Sequence, residues 1–156
     1  MIIDVETGGI FCGEDGKKPA NILRVDAVKI EDGKLGEACS SLVATDDIIP
    51  KFVSNFVGIA NEMLKDAPTL KAVLTDFKEF IKGYTVYARN SEFINKFLTY
   101  YGEKNDIQID LAKEKDYNEI SKFLRYGNGI KEYLQNSTDS EPLALAKMLI
   151  RNNFNE

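Results

Sequence analysis

The chain has 156 residues, about the size of one domain, with 44% hydrophobic and 29% charged side chains and a net charge of −5. It contains no histidine, which excludes imidazole metal sites, Ser-His-Asp and Cys-His catalysis, and an imidazole general base. No run approaches the ~18–20 apolar residues of a membrane span, so no membrane partner is expected and any chemistry must rest on carboxylates, Tyr, Lys, Cys or a metal held by oxygen.

Met1 to Val5 opens as a short apolar strand. Acids follow at once with no basic segment before them, so a signal peptide is not expected. Residues 13–21 form a polar loop. Ile22 to Ile30 alternates, with Ile22, Val25, Val28 and Ile30 apolar, and Asp32-Gly33 is a two-residue hairpin signal. Leu35 to Ala44 returns as a strand, completing an antiparallel meander. Cys12 and Cys39 form no CxxC pair and are read as reduced thiols of a cytoplasmic protein, with a disulfide left open.

From Pro50 onward the period becomes helical. Pro68 suits a first helical turn. Leu70, Val73, Leu74, Phe77, Phe80 and Ile81 then form one apolar stripe, and Gly83 suits the position after the helix end. Residues 84–88 read as a strand, Glu92 to Tyr101 as a helix and Ile107 to Leu111 as a last short strand. Helices are expected at about 116–126, 130–135 and 140–152. There is no repeat and no low-complexity tract, so residues 1–156 read as a single domain. The element order predicts an α/β, ribonuclease-H-like fold: a mixed sheet of three antiparallel strands and then two parallel ones, flanked by helices.

Asp4-Val5-Glu6-Thr7-Gly8-Gly9 ends the first strand. Residues two apart on a strand share a face, so Asp4 and Glu6 project together. Two adjacent carboxylates repel unless a cation lies between them, which suits Mg²⁺ or Mn²⁺. The segment resembles the DxETTG motif of the DEDD-type 3′–5′ exonucleases, the family of the proofreading epsilon subunit of bacterial DNA polymerase III. Ala27 to Lys34 resembles that family's next two strands and their turn. Ile49-Pro50 and Val57-Gly58-Ile59-Ala60-Asn61-Glu62-Met63-Leu64-Lys65-Asp66-Ala67-Pro68 resemble its IP…TGIT-x-EML-x-DAP stretch. The likeness covers nearly the whole chain and weakens after about residue 112.

Two departures stand out. The family's second motif reads approximately VAHNASFDxxFL. Here Val86 to Leu98 keeps Asn90, Phe93, Phe97 and Leu98 in register but places Ile94 at the acidic position. The third motif is HxxxxD before the last helix. Counting back from Leu143 to Leu149 places Glu141 at the acid and Asn136 at the histidine. Glu141 is read either as a metal ligand or as part of a helix cap with Pro142 in the first turn.

The resemblance implies four carboxylates holding two divalent cations, with His or Tyr positioning the attacking water. Carried over, the catalytic and metal-binding set is Asp4, Glu6 and Glu141, with Ile94 and Asn136 as degenerate positions. Thr7, Gly8, Asn90 and Phe93 are the implied substrate contacts. A single weakly held Mg²⁺ or Mn²⁺, or none, is expected. Net charge runs −5, +2 and −2 over residues 1–50, 51–100 and 101–156, so a nucleic-acid site would be local. The expected function is binding of single-stranded DNA or RNA 3′ ends, or nucleotides, with impaired or absent hydrolysis. A slow metal-dependent 3′–5′ exonuclease, or a protein-interaction module beside a DNA polymerase, remains the alternative.

Overall fold

In the computed structural model, which describes residues 1–12, 18–109, 111, 114–116 and 138–151, strand β1 (Ile2–Thr7) lies mid-sheet. Its alternation sends Ile3 and Val5 to one face and Ile2, Asp4 and Glu6 to the other. On one side it pairs antiparallel with β4 (Ile22–Glu31), which pairs antiparallel with β5 (Lys34–Leu42). On the other side it runs parallel to β6 (Val86–Ala88), which pairs parallel with β7 (Glu114–Asp116). The order β5-β4-β1-β6-β7 is the expected mixed sheet. β2 (Phe11–Cys12) and β3 (Lys18–Pro19) pair antiparallel as a separate two-stranded sheet. The β4–β5 turn runs through Asp32 (φ 50) and Gly33 (φ 70), the paired left-handed geometry for which Asp-Gly is suited.

Both faces of the sheet are covered. Helix α3 (Leu70–Ile81) buries Val73, Leu74, Phe77 and Ile81, and α4 (Ser91–Lys104) buries Ile94, Phe97, Leu98 and Tyr101, against Ile3, Val5, Val25 and Ala27. Helix α5 (Glu141–Arg151) lies on the other face, where Leu145, Ala146 and Leu149 pack on Ile2, Val28 and Tyr87. Two short helices, α1 (Lys51–Val57) and α2 (Asn61–Leu64), bring Val53 and Leu64 against Leu23, Ile49 and Ile59. No helix among the described residues is long and apolar enough to cross a membrane.

Two expectations are corrected. The strand that pairs parallel with β6 is Glu114–Asp116, not Ile107–Leu111. Ile107 instead closes the end of α4: its N–H donates to the Gly102 carbonyl at 2.9 Å, after Asp106 has turned the chain at φ 59. Ile107 and Leu111 are buried in the core, so their apolar character serves packing rather than a ladder. Pro68 is not in the first turn of α3. Thr69 is the N-cap, its hydroxyl accepting from the Ala72 N–H at 3.3 Å, and Pro68 precedes it. Apart from residue 116, the helices expected at about 116–126 and 130–135 lie outside the described residues, as does Asn136.

The return of the chain after α4 leaves no room at Gly102. A Cβ there would stand 2.5 Å from the Ile107 carbonyl oxygen. Alanine normally gains ~1 kcal/mol over glycine inside a helix. Here the clash dominates, and Gly102→Ala is expected to lose about 1–3 kcal/mol in urea unfolding. An unchanged or raised midpoint would contradict the close approach.

Candidate functional site

The β1 register builds one wall of the site. Asp4 lies directly across from Asp26 on β4, and Glu6 from Arg24. Direct antiparallel partners share a face, so three acids and one guanidinium occupy the patch beside Ile2 and Val28. Arg24 Nε lies 2.7 Å from Asp26 Oδ2, and its Nη2 lies 3.7 Å from Glu6 Oε1. Asp26 is 3% exposed. A bulge between Glu6 and Thr7 ends the regular pairing. Beyond it the Gly8 N–H donates to the Asn21 carbonyl at 2.9 Å, and the Thr7 hydroxyl donates to the Gly9 carbonyl at 2.6 Å.

Helix α5 supplies the second wall. Because its apolar stripe packs on Ile2 and Val28, its first residue, Glu141, is delivered to the same face as Asp4 and Glu6. The Ser140 carbonyl accepts the Ala144 N–H at 2.9 Å to start the helix, and Pro142 is buried in its first turn. The Glu141 side chain pairs with Arg89, whose Nε lies 3.0 Å from Oε1. Arg89 sits in the turn between β6 and α4. Its neighbour Asn90 caps α4, its Oδ1 accepting the Phe93 N–H at 3.1 Å. Phe93 stacks obliquely on Phe97, with ring centroids 4.5 Å apart. Ile94 is 2% exposed and belongs to the core beneath the site.

These walls enclose an open groove of about 810 Å³. Asp4, Glu6, Thr7, Arg89, Asn90, Phe93, Ile94 and Glu141 all line it. Its far side is apolar: Ile10, Phe52 and Phe56 line it while remaining largely exposed. Of the residues expected at the site, Asp4, Glu6 and Glu141 are thus brought together, with Ile94 at their base. Gly8 lies on an adjoining cleft.

Burial is the main reason the three carboxyls hold their protons more tightly than usual. Asp4 is raised by burial first and then by the Asp26 charge, against the Val5 backbone N–H, Arg89 and Arg24. Glu6 is pushed up to about 7, by burial first and then by Asp4, with Arg24 opposing. Glu141 is raised by burial and by Asp4, with Arg89 opposing.

Sequence reasoning missed Arg24, Asp26, Phe52 and Phe56 as parts of the site. Arg24 and Asp26 carried a signal: they are polar residues two apart in a stretch, Ile22 to Val28, whose other residues are apolar and buried. Phe52 and Phe56 are four apart on α1 and share one of its faces.

A carboxylate pair at the end of a central strand, on a mixed sheet with helices on both faces, defines a ribonuclease-H-like nuclease architecture. An exonuclease family model of the RNase T type matches residues 1–153, and the chain belongs to that family, the DEDD-type 3′–5′ exonucleases. It is 32% identical over 108 residues to the DNA polymerase III epsilon subunit of Aquifex aeolicus, covering 67% of this chain and 51% of that one. It is 30% identical over 110 residues to the PolC-type DNA polymerase III of Caldanaerobacter subterraneus, covering 70% of this chain and 8% of that one. It is 29% identical over 124 residues to the 3′-5′ exonuclease DinG of Bacillus subtilis, covering 80% and 13%. The chain therefore spans between 8% and 51% of the length of these relatives. Among solved structures, the nuclease domain of 3′hExo, a DEDDh family member bound to rAMP, superposes with a TM-score of 0.68 at 15% identity, covering 96% of this chain and 90% of that one. Exonuclease X in complex with 5′ overhanging duplex DNA gives 0.61 at 19% identity, covering 97% and 89%. At these identities the likeness is one of fold.

DEDD exonucleases generally use Mg²⁺ or Mn²⁺. The described residues of the groove do not by themselves fit a two-cation centre. Ile94 offers no oxygen, and Glu141 is engaged by Arg89. Among the described residues no three acidic or thiol side chains are placed to hold a metal ion.

The Glu6 shift has a sign that can be measured. Its ordinary value is 4.5 and its folded value about 7, so the folded state binds the proton more tightly. This contribution favours folding at low pH and is lost as pH rises from about 4.5 through about 7. With chelator present, Glu6→Gln is expected to be more stable than wild type at pH 8 by on the order of 1 kcal/mol after solvent screening, with the gap closing towards pH 5. Urea midpoints across pH check this. A gap that is constant or widens towards acid would contradict it.

Proposed function

We propose that this domain binds single-stranded 3′ ends of nucleic acid, or nucleotides, and hydrolyses them poorly or not at all. The observation that carries this reading is Ile94. It is an aliphatic side chain, 2% exposed, that lines the groove beside Asp4, Glu6 and Glu141, where the family motif has an acid. The absence of histidine from the chain supports it independently. Losing a general base costs ~10²–10⁴ in rate. Losing a carboxylate as well lowers it further, without simple additivity.

In this reading Asp4 and Glu6 hold at most one Mg²⁺ or Mn²⁺ weakly. Thr7 and Gly8 shape the backbone that meets the end of the strand. Asn90 and Phe93 act mainly through the geometry of the α4 start. Phe52 and Phe56 offer exposed aromatic faces on the opposite wall, suited to stacking on bases whatever their sequence.

The test uses a 5′-labelled single-stranded oligonucleotide with Mn²⁺. The expected result is binding that weakens with added salt and leaves the oligonucleotide intact. Phe52→Ala combined with Phe56→Ala is expected to weaken binding by about tenfold or more. A ladder shortened from the 3′ end, and abolished by Glu6→Ala, would overturn the claim of lost activity in favour of a slow exonuclease. No binding at low salt would overturn the nucleic-acid reading in favour of a protein-interaction role.

Restoration is a second check. Ile94→Asp with Asn136→His, combined with Arg89→Gln to free Glu141, replaces both departing positions and is expected to produce 3′-shortened products where wild type produces none. An inert but folded triple variant would contradict the register assigned to the two motifs.

A further inference from the structure

We propose that Arg89 is the resident cation of this centre, holding Glu141 in an internal ion pair and keeping a divalent ion off that carboxylate. The inference rests on reading the groove as a degenerate exonuclease centre, but it concerns the charge balance of the groove rather than its ligand.

The geometry is direct. Arg89 Nε lies 3.0 Å from Glu141 Oε1, and the Glu141 side chain is only 18% exposed. The Arg89 side chain is 51% exposed, so the pair is sheltered on its carboxylate side and open to solvent on its guanidinium side. Arg89 lines the same groove as Asp4 and Glu6, and its positive charge acts on Asp4 as well as on Glu141. A guanidinium cannot give up its proton in a protein, so this charge is permanent.

Two consequences follow for a metal ion. Mg²⁺ and Mn²⁺ need oxygen ligands brought within ~2.0–2.2 Å, and a carboxylate held by a guanidinium must be pulled away first. An ion on the remaining Glu141 oxygen would also lie within a few Å of the guanidinium, where like charges repel in a partly desolvated groove. On the other wall Arg24 bridges Asp26 and Glu6. Two guanidiniums of the chain itself thus offset part of the negative charge of the four acids on this face.

The experiment is a Mn²⁺ titration of the intact chain, followed by the electron paramagnetic resonance of free Mn²⁺, with no nucleic acid present. Wild type is expected to bind Mn²⁺ weakly or not at all. Arg89→Gln, which keeps a polar side chain but frees Glu141, is expected to bind it about tenfold or more tightly. Arg89→Lys keeps the charge and is expected to stay near wild type. In Mn²⁺-soaked crystals, wild-type Glu141 remains on Arg89, whereas in Arg89→Gln it ligates the ion. The proposal is overturned if Arg89→Gln binds Mn²⁺ no more tightly than wild type. It is also overturned if wild-type crystals show Glu141 on the ion with Arg89 swung away, a result that stands even if Arg89→Gln does not fold. Failure here leaves oligonucleotide binding untouched, and failure of oligonucleotide binding leaves the Mn²⁺ result untouched.

Discussion

Asp4 and Glu6 sit on the central strand of the sheet, on the face that α5 also covers. That is the constraint on which the rest of the site depends. The strand is central because Ile2, Ile3 and Val5 are buried on both faces, and the same alternation forces the two carboxylates into partial burial. Placing Asp26 directly across from Asp4 adds a further negative charge. Charge of one sign in a desolvated patch is costly unless it is compensated or protonated. The structure does both: Arg24 and Arg89 reach the acids, and the carboxyls take up protons more readily than they would in water.

This view ties the site to the stability of the fold. The α5 stripe of Leu145, Ala146 and Leu149 exists to cover Ile2 and Val28, yet its docking also sets where Glu141 stands. The β6–α4 turn, fixed by the Asn90 cap, sets where Arg89 stands. The Arg89–Glu141 pair therefore joins two elements distant in sequence at the mouth of the groove. In an exonuclease fold such a groove is shaped for acids that share metal ions. Here the aliphatic Ile94 and the guanidinium of Arg89 line it beside Asp4, Glu6 and Glu141.

Much of this was legible in the sequence where the signal was local. The Asp4/Glu6 spacing, the Asp32-Gly33 turn and the α3 stripe depend on period and on turn chemistry, and each appears in the expected place. The departure at Ile94 was legible because Phe93 and Phe97 fixed the register around it. The segment Ile107–Leu111 misled because buried apolar residues look alike whether they pair in a ladder or close a helix end. Only the contact of Ile107 with Gly102 tells the two apart. The two ion pairs of the site were not legible for a different reason. Arg24 with Glu6 depends on strand register, and Arg89 with Glu141 on the docking of α5, so neither leaves a pattern in neighbouring residues.

In the proposed reading, the buried acids of β1 are balanced from within the protein rather than by a tightly held divalent ion. A carboxyl carbon-13 titration of Glu6 with and without submillimolar Mg²⁺ tests this most directly. Glu6 is expected to titrate at about 7, with Mg²⁺ barely moving it. A fall to the ordinary carboxylate range on adding Mg²⁺ would contradict it, because only an ion bound at the carboxylate pair lowers a buried acid in that way.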